Sequence, residues 1–194
     1  RTIMKQNISN ELLEFIENSP TAFHAIETMR CRLDTEGYQP LLEGSDWNLQ
    51  AGGKYYVIRN GSSIIAFRIP TAEWKGFQIM ASHSDSPMFK IKENPEMEAE
   101  GHYVKLNVEK YGGMLCAPWF DRPLSVAGRL VVKEEDQIVT KLVDVKKDLV
   151  MIPSLAIHMN RDANNGVKFN PQKDLLPLYG DETAKGTFMA RIAE

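Results

Sequence analysis

The chain has 194 residues, of which 43% are hydrophobic and 25% are charged, and its formal net charge is −3. This composition is typical of a globular protein that buries a core. The interspersed charges form no basic stripe, which argues against nucleic acid as a partner. Cys31 and Cys116 are widely separated in the sequence, as is usual for reduced thiols. The sequence also has no long apolar run and no signal-peptide pattern. These features favour a cytoplasmic protein that makes no use of a membrane.

Two helices are predicted between residue 9 and about residue 36. The first has an apolar stripe of Leu12, Leu13, Phe15 and Ile16, and the second has a stripe of Ala22, Phe23, Ile26, Met29 and Leu33. Ser19 is the expected N-cap of the second helix, with Pro20 at its first helical position. Gly37 is the expected stop.

The hydrophobic period changes to that of strands at Lys54. KYYVIR (54–59) and SIIAFRI (63–69) flank Asn60-Gly61, a pair that tolerates the positive φ of a tight turn, so a β-hairpin is expected. GFQIMASH (76–83) is apolar at consecutive positions, as in a strand covered on both faces. Its C-terminal end carries His83, and ligands of α/β sheets bind at that end of the strands.

The sequence after Lys92 has a different character. A polar segment, ENPEMEAEG (93–101), precedes three β-rich runs: YVKLNVE, LSVAGRLVVK and QIVTKLVDV. Together they predict an inserted β-rich domain. The last stretch, TAKGTFMARIAE (183–194), has helix-forming residues with Phe188, Met189 and Ile192 as an apolar face, and the chain is expected to end inside a domain.

The segment ASHSDSP (81–87) carries the clearest chemical signal. Side chains two residues apart share a face of an extended backbone, so Asp85 is expected to accept a hydrogen bond from the His83 imidazole nitrogen that does not bind metal. Considered alone, this pair fits an incidental structural contact better than a metal site, because no HExxH, CxxC or second ligand cluster accompanies it. Glu134-Glu135 fits a solvated turn between two strands.

The remaining candidates favour structural roles from the residues alone. Residues 119–122 (WFDR) follow a glycine-rich turn and are interpreted as aromatic anchors and an Asp/Arg pair at a domain junction. His158 ends an apolar run and is interpreted as a packing residue, and His24 and His102 have no partner that the sequence identifies. No GxSxG elbow and no cysteine with a nearby histidine-bearing motif provides a nucleophile, so any hydrolytic chemistry is expected to use metal-activated water.

Four blocks of sequence together resemble the M18 family of zinc metalloaminopeptidases. They are SPTAFHAIETM (19–29), ASHSDSPMFKIK (81–92), YGGMLCAPWFDRPLSVAGR (111–129) and IPSLAIHMNR (152–161). The resemblance implies an α/β, zinc-peptidase-like catalytic domain interrupted by a β-rich dimerisation domain. It assigns residues 1–92 to the first part of the catalytic domain, 93–178 to the dimerisation domain and 179–194 to a return into the catalytic domain.

The resemblance also implies roles for three residues. His83 would bind one of two zinc ions, with other divalent metals as alternatives, and Asp85 would support the site as a catalytic residue. His158 would reach across a dimer and stabilise a developing oxyanion. The family's bridging aspartate, its glutamate pair, its second aspartate and its C-terminal histidine have no counterparts before Glu194, so the chain would hold only part of the site.

The implied function is release of N-terminal residues from peptides by zinc-activated water, with a preference for N-terminal Asp or Glu. The implied partners are peptides with a free N-terminus and further copies of the chain, as a homodimer or higher homo-oligomer. The alternative is a non-catalytic dimerisation or peptide-binding fragment, or a short paralogue of the enzymes. Met114, Cys116 and Pro118 depart from the residues that many relatives have there, but none is an assigned ligand.

Overall fold

The computed structural model describes residues 2–194, which fall into two compact units. The first unit comprises the residues up to 86 together with 128–142, and the second comprises 87–127 and 143–194. Within the described residues, no helix is both long enough and apolar enough to cross a bilayer. The three-part domain division at residues 92 and 178 stays a prediction.

Two helices precede a long run of strands, two short helices come near the end of the chain, and together these elements give the mixed α/β class that was predicted. The helices are α1 Thr2–Glu17, α2 Ala22–Thr35, α3 Pro171–Asp174 and α4 Phe188–Ala193. The strands are β1 Gln39–Leu41, β2 Lys54–Arg59, β3 Ser63–Arg68, β4 Met88–Ala99, β5 Tyr103–Tyr111, β6 Pro123–Leu124, β7 Ala127–Glu134, β8 Gln137–Asp144, β9 Val150–Met151 and β10 Leu178–Asp181.

The N-cap of helix α2 lies two residues after the predicted one. Thr21, with an extended backbone at φ −136° and ψ 166°, is the N-cap, and its hydroxyl accepts from the His24 amide at 3.4 Å. The expected cap at Ser19 is therefore wrong: only a residue with extended backbone next to the first turn can place its oxygen over that amide. Gly37 follows the end of the helix at φ 77°, and the prediction that it marks the stop is confirmed.

The predicted hairpin of the first unit is confirmed. Strands β2 and β3 are antiparallel with Arg59 opposite Ser63, and Asn60 and Gly61 take positive φ values of 53° and 65° in the turn. Strand β1 adds to β2 in parallel, giving the order β1-β2-β3. The buried residues of this unit lie where α2 meets the sheet: Ala25, Ile26, Tyr55 and Tyr56.

A buried tyrosine connects this sheet to α2. The Tyr56 hydroxyl donates to Asp34 Oδ1 at 2.8 Å. Burial raises the pKa of Tyr56, and the negative charge of Asp34 raises it further. The phenol therefore stays protonated and keeps this hydrogen bond at neutral pH.

The second unit is built on a five-stranded sheet with the order β4-β5-β10-β9-β6. Its pairing is antiparallel, with an irregularity in β4 between Ile91 and Glu96. The polar segment 93–101 was expected to open the β-rich domain. Most of it belongs to β4, where Glu96 and Glu98 have partners in this unit, and the turn comes at Glu100-Gly101, both with positive φ.

The core of the second unit lies between β5 and the last helices. Its fully buried side chains include Val104, Leu106 and Val108 on alternate positions of β5, together with Leu175 and Phe188. Helix α4 forms where the sequence predicted a helix, and Phe188 and Ile192 are buried as expected. Met189 is 54% exposed, so its assignment to the apolar face is wrong.

Candidate functional site

His83 and Asp85 lie in the loop that follows β3. The Nδ1 atom of His83 is 2.8 Å from the backbone carbonyl oxygen of Asp85 and 3.1 Å from its carboxylate Oδ1. The predicted contact is therefore present. Two acceptor oxygens facing Nδ1 favour a proton on that nitrogen, which leaves the lone pair of Nε2 available to a metal. The His83 side chain is 82% exposed, so an ion could reach it.

Ser84, between these two residues, connects the loop to the β2–β3 hairpin. Its hydroxyl donates to the backbone carbonyl oxygen of Ser62 at 3.0 Å, in a partly buried position. Ser62 itself belongs to the hairpin turn, where its amide donates to the Arg59 carbonyl at 3.2 Å. A short local structure of the first unit thus holds the backbone from which His83 and Asp85 project.

The prediction of a buried strand over 76–83 is wrong. The backbone of this segment is irregular, and Phe77, Ile79 and Met80 are 76%, 84% and 99% exposed. A strand covered on both faces needs a hydrogen-bonding neighbour and a packing layer on each side. Within the described part of the chain, the three-stranded sheet of the first unit ends at β3 and supplies neither.

His158 belongs to the second unit and lies in a turn. The Met159 amide donates to the Ala156 carbonyl at 2.9 Å, and the Asn160 amide donates to the Ile157 carbonyl at 3.2 Å. The His158 side chain is exposed, so its interpretation as a packing residue is wrong. Its accessibility leaves it open to a partner or substrate.

The described residues do not form a complete zinc site by themselves. Zinc in proteins takes three or four protein ligands, and residues 2–194 contain no group of three or more His, Cys, Asp or Glu side chains placed to hold a metal. The His24 ring nitrogen Nδ1 lies 2.8 Å from the Thr21 hydroxyl at the start of α2. His83 and Asp85 therefore fit one ligand and its orienting carboxylate, but not a whole site.

Glu134 and Glu135 lie where the sequence predicted a turn between two strands. Glu134 ends β7, and Glu135 takes a positive φ of 52° in the turn that leads to β8. Glu134 forms an ion pair with Lys141 across this hairpin. The prediction of a solvated turn is confirmed, and this pair contributes no metal ligands.

The aromatic residues at 119 and 120 pack within the second unit. The Trp119 ring meets Phe89 edge-on with centroids 4.9 Å apart, and the Phe120 ring lies 5.0 Å from that of Phe169. Such ring pairs stabilise a fold beyond the area that they bury. Their interpretation as anchors agrees with these contacts.

Asp121 and Arg122 have separate partners rather than pairing with each other. Asp121 accepts from the Ser154 hydroxyl and, at 2.9 Å, from the Ser154 amide, and these hydrogen bonds lower the pKa of the Asp121 carboxyl. Arg122 donates to the Pro118 carbonyl at 3.3 Å. The Asp121 contact was missed from sequence, since no local pattern marks two residues that are 33 positions apart in the chain.

Comparison with known proteins identifies relatives along almost the whole chain. The family described as aminopeptidase I zinc metalloprotease (M18) matches residues 15–190. The protein named Probable M18 family aminopeptidase 2 from Clostridium novyi is 49% identical over 180 residues, which cover 91% of this chain and 42% of the relative. The chain thus spans less than half the length of the curated relatives that it matches.

Solved structures give the same assignment. The cryo-EM structure of the Ape4 and Nbr1 complex contains a chain that matches with a TM-score of 0.84 and 42% identity, over 90% of this chain and 34% of that one. The S. cerevisiae mApe1 dodecamer matches with a TM-score of 0.76 and 29% identity, over 90% of this chain and 38% of that one. The predicted α/β class, as part of a catalytic domain of this kind, is confirmed.

Proposed function

The chain belongs to the M18 family of metal-dependent aminopeptidases, and we propose that it forms part of an enzyme that releases N-terminal residues from peptides. The observation that carries the proposal is the family match over residues 15–190, within which His83 contacts Asp85. We propose a preference for N-terminal Asp or Glu, from the resemblance of the four sequence blocks. Peptides with a free N-terminus are then the substrates.

His83 is proposed as a ligand of one of two zinc ions, bound through Nε2, with other divalent metals as alternatives. The two Asp85 oxygens at Nδ1 support this choice of nitrogen, since metal-bound imidazoles usually donate their other N–H to a carboxylate or carbonyl. The further ligands and the general base would come from residues outside these 194. Zinc, when bound, supplies a water of lowered pKa for hydrolysis.

His158 is proposed to act in a neighbouring subunit. Its exposed position in a turn of the second unit leaves the imidazole available to another chain. One solved structure to which this chain is similar is described as a dodecamer, which supports a homodimer or higher homo-oligomer here. Across such an interface, an imidazole N–H would offset negative charge developing on a substrate oxygen.

A cytoplasmic location is proposed from the cysteines. Both Cys31 and Cys116 are free thiols in the structure, and reduced cysteines are usual in proteins of that compartment. The acidic net charge of −3 supports a protein with no nucleic-acid partner.

The ligand role of His83 can be tested in a chimera of this chain and the remaining residues of the Clostridium novyi relative. His83→Ala is expected to abolish release of N-terminal residues from Asp, Glu, Ala and Leu peptides and to lower the zinc content measured by mass spectrometry. His102→Ala is the matched control, because His102 is exposed in the turn before β5. Full activity and full zinc content in the His83 variant would reject the assignment.

The role of His158 needs mixed oligomers. A His158→Ala chimera and a His83→Ala chimera, each inactive alone, are mixed after dissociation and allowed to reassemble. Activity is expected to return, because a subunit with an intact metal site would receive an intact His158 from its neighbour. If every mixture stays inactive while reassembly is complete by light scattering, the proposal of action in trans is wrong.

A second candidate function is a non-catalytic dimerisation or peptide-binding module. The absence of a three-ligand metal cluster among residues 2–194 favours it for the chain taken alone. The purified chain should be measured for mass in solution, zinc stoichiometry and aminopeptidase activity. A dimer without zinc or activity supports this candidate, whereas zinc binding with turnover excludes it.

A further inference from the structure

We infer that Ser84 is a positioning residue, which holds the His83–Asp85 pair against the β2–β3 hairpin, and that Arg129 braces the same hairpin turn from β7. The inference rests on the proposed function, in which His83 binds zinc. All the residues involved belong to the first unit. The proposed function gives a role in the reaction to His83 and Asp85 but to none of the residues that hold them in place.

The loop that carries His83 gains little from apolar packing. Phe77, Ile79 and Met80, which precede His83, are almost fully exposed, and so is His83 itself. Ser84 is the first residue after this stretch to be half-buried, and its hydroxyl donates to the Ser62 carbonyl at 3.0 Å. A polar tether therefore fixes the loop at the residue between the ligand and its orienting acid.

The hairpin turn that receives this tether is also held by Arg129. The Arg129 Nη1 atom donates to the Asn60 backbone carbonyl at 2.9 Å and to the Asn60 side-chain oxygen at 3.2 Å. The guanidinium carbon lies 4.2 Å from the centroid of the Phe23 ring on α2, a cation–π contact. The turn thus uses two of its carbonyls, Asn60 and Ser62, to connect α2, β7 and the His83 loop.

This arrangement determines which His83 nitrogen carries the proton. The contacts of Nδ1 with the two Asp85 oxygens depend on the backbone dihedrals at Ser84, because Ser84 is the residue that separates the two partners. When the tether is lost, the loop samples other conformations and the imidazole loses its two acceptors. The ring then exchanges between tautomers instead of presenting an unprotonated Nε2.

The test uses the complete 194-residue chain labelled with ¹⁵N. Long-range proton–nitrogen spectra report the tautomer of each histidine ring, and His83→Gln assigns the His83 signals. Wild type is expected to populate mainly the Nδ1–H form. Ser84→Ala is expected to lower the ratio of Nδ1–H to Nε2–H about fivefold, the effect of losing one hydrogen bond.

Three further variants separate a positioning role from a general structural one. Ser84→Thr keeps the hydroxyl and should retain the wild-type ratio, and Ser82→Ala removes an exposed hydroxyl next to His83 and should leave it unchanged. Arg129→Lys keeps the charge but loses the planar fork, and should lower the ratio about twofold. A wild-type ratio in Ser84→Ala, with unchanged circular dichroism, would overturn the inference.

Zinc titration of the same samples distinguishes this inference from the proposed function. Zn²⁺ is expected to shift the His83 ring signals of wild type, and Ser84→Ala should need about fivefold more Zn²⁺ for half the shift. If Zn²⁺ leaves the wild-type His83 signals unchanged, the chain alone does not bind the ion and zinc content of the chimera decides the ligand role, while the tautomer result still supports the tether. If both proteins respond to Zn²⁺ equally and share one tautomer ratio, the tether fails while the ligand role stands.

Discussion

Glu96 connects β4 to the start of α4, and its replacement should destabilise the second unit. One carboxylate oxygen accepts from the Phe188 amide at 2.9 Å, and the other accepts from the Gly186 amide. Phe188 is the first residue of α4, where backbone amides have no partner within the helix. The irregularity of β4 between Ile91 and Glu96 brings the carboxylate into this position.

The size of the effect follows from the charge and the burial. A hydrogen bond to a charged group stabilises a fold by about 1.5–3 kcal/mol, and an amide left without a partner is costly when water cannot reach it. The Phe188 side chain is only 1% exposed, whereas Gly186 is open to water. We therefore expect Glu96→Ala to lower the free energy of unfolding by about 2–3 kcal/mol. Glu96→Gln, which keeps one acceptor oxygen, should cost about 1 kcal/mol.

Urea unfolding measured by tryptophan fluorescence checks this prediction. Trp119 lies in the second unit, so a background with Trp47→Phe and Trp74→Phe isolates its signal. Glu93→Gln changes an exposed position of the same strand and is expected to stay within about 0.5 kcal/mol of the background protein. If Glu96→Ala unfolds at the same urea concentration as this control, the carboxylate does not stabilise α4 and the reasoning is wrong.

Three other replacements test the fold at single positions. Asp121→Asn should make the loss of stability in acid smaller. The pKa of Asp121 is lowered in the folded state, so its hydrogen bonds stabilise the fold above the unfolded-state pKa and this stability is lost as pH falls through the folded-state pKa. Urea midpoints should therefore fall more in wild type than in the variant between about pH 5 and pH 2. Gly37→Ala should destabilise the first unit by about 1 kcal/mol in urea because φ is 77°, whereas Gly44→Ala, with open space and no positive φ, should not. Phe188→Ala should cost about 3–5 kcal/mol and the exposed neighbour Met189→Ala less than about 0.5 kcal/mol, compared by thermal melting.

The elements that the sequence predicted well are those with local causes. The end of α2 depends on one glycine, and the β2–β3 hairpin depends on Asn60-Gly61 between two strands of matching period. The His83–Asp85 contact also follows from a spacing of two residues. In each case the residues that determine the structure are neighbours in the chain, so no knowledge of tertiary packing was needed.

The predictions that failed depend on distant partners. The partners of the glutamates in residues 93–99 could not be predicted, because they are distant in the chain: Glu98 pairs with Lys185 at 2.6 Å. The contact between Asp121 and Ser154 was missed for the same reason, because no local pattern encodes it. The family roles of His83 and His158 likewise came from resemblance, because the sequence shows no cluster of ligands that would complete a metal site around either residue.

The two histidines with proposed chemistry lie beside some of the most exposed apolar side chains of their units. Met80 is 99% exposed three residues before His83, and Met159 is 76% exposed directly after His158. Apolar side chains of this size favour burial, so an exposed cluster at a chemical residue supports contact with further polypeptide there. Lack of such a covering polypeptide explains why GFQIMASH has the sequence pattern of a buried strand but does not form one. It also agrees with a metal site to which the His83 loop supplies only one ligand.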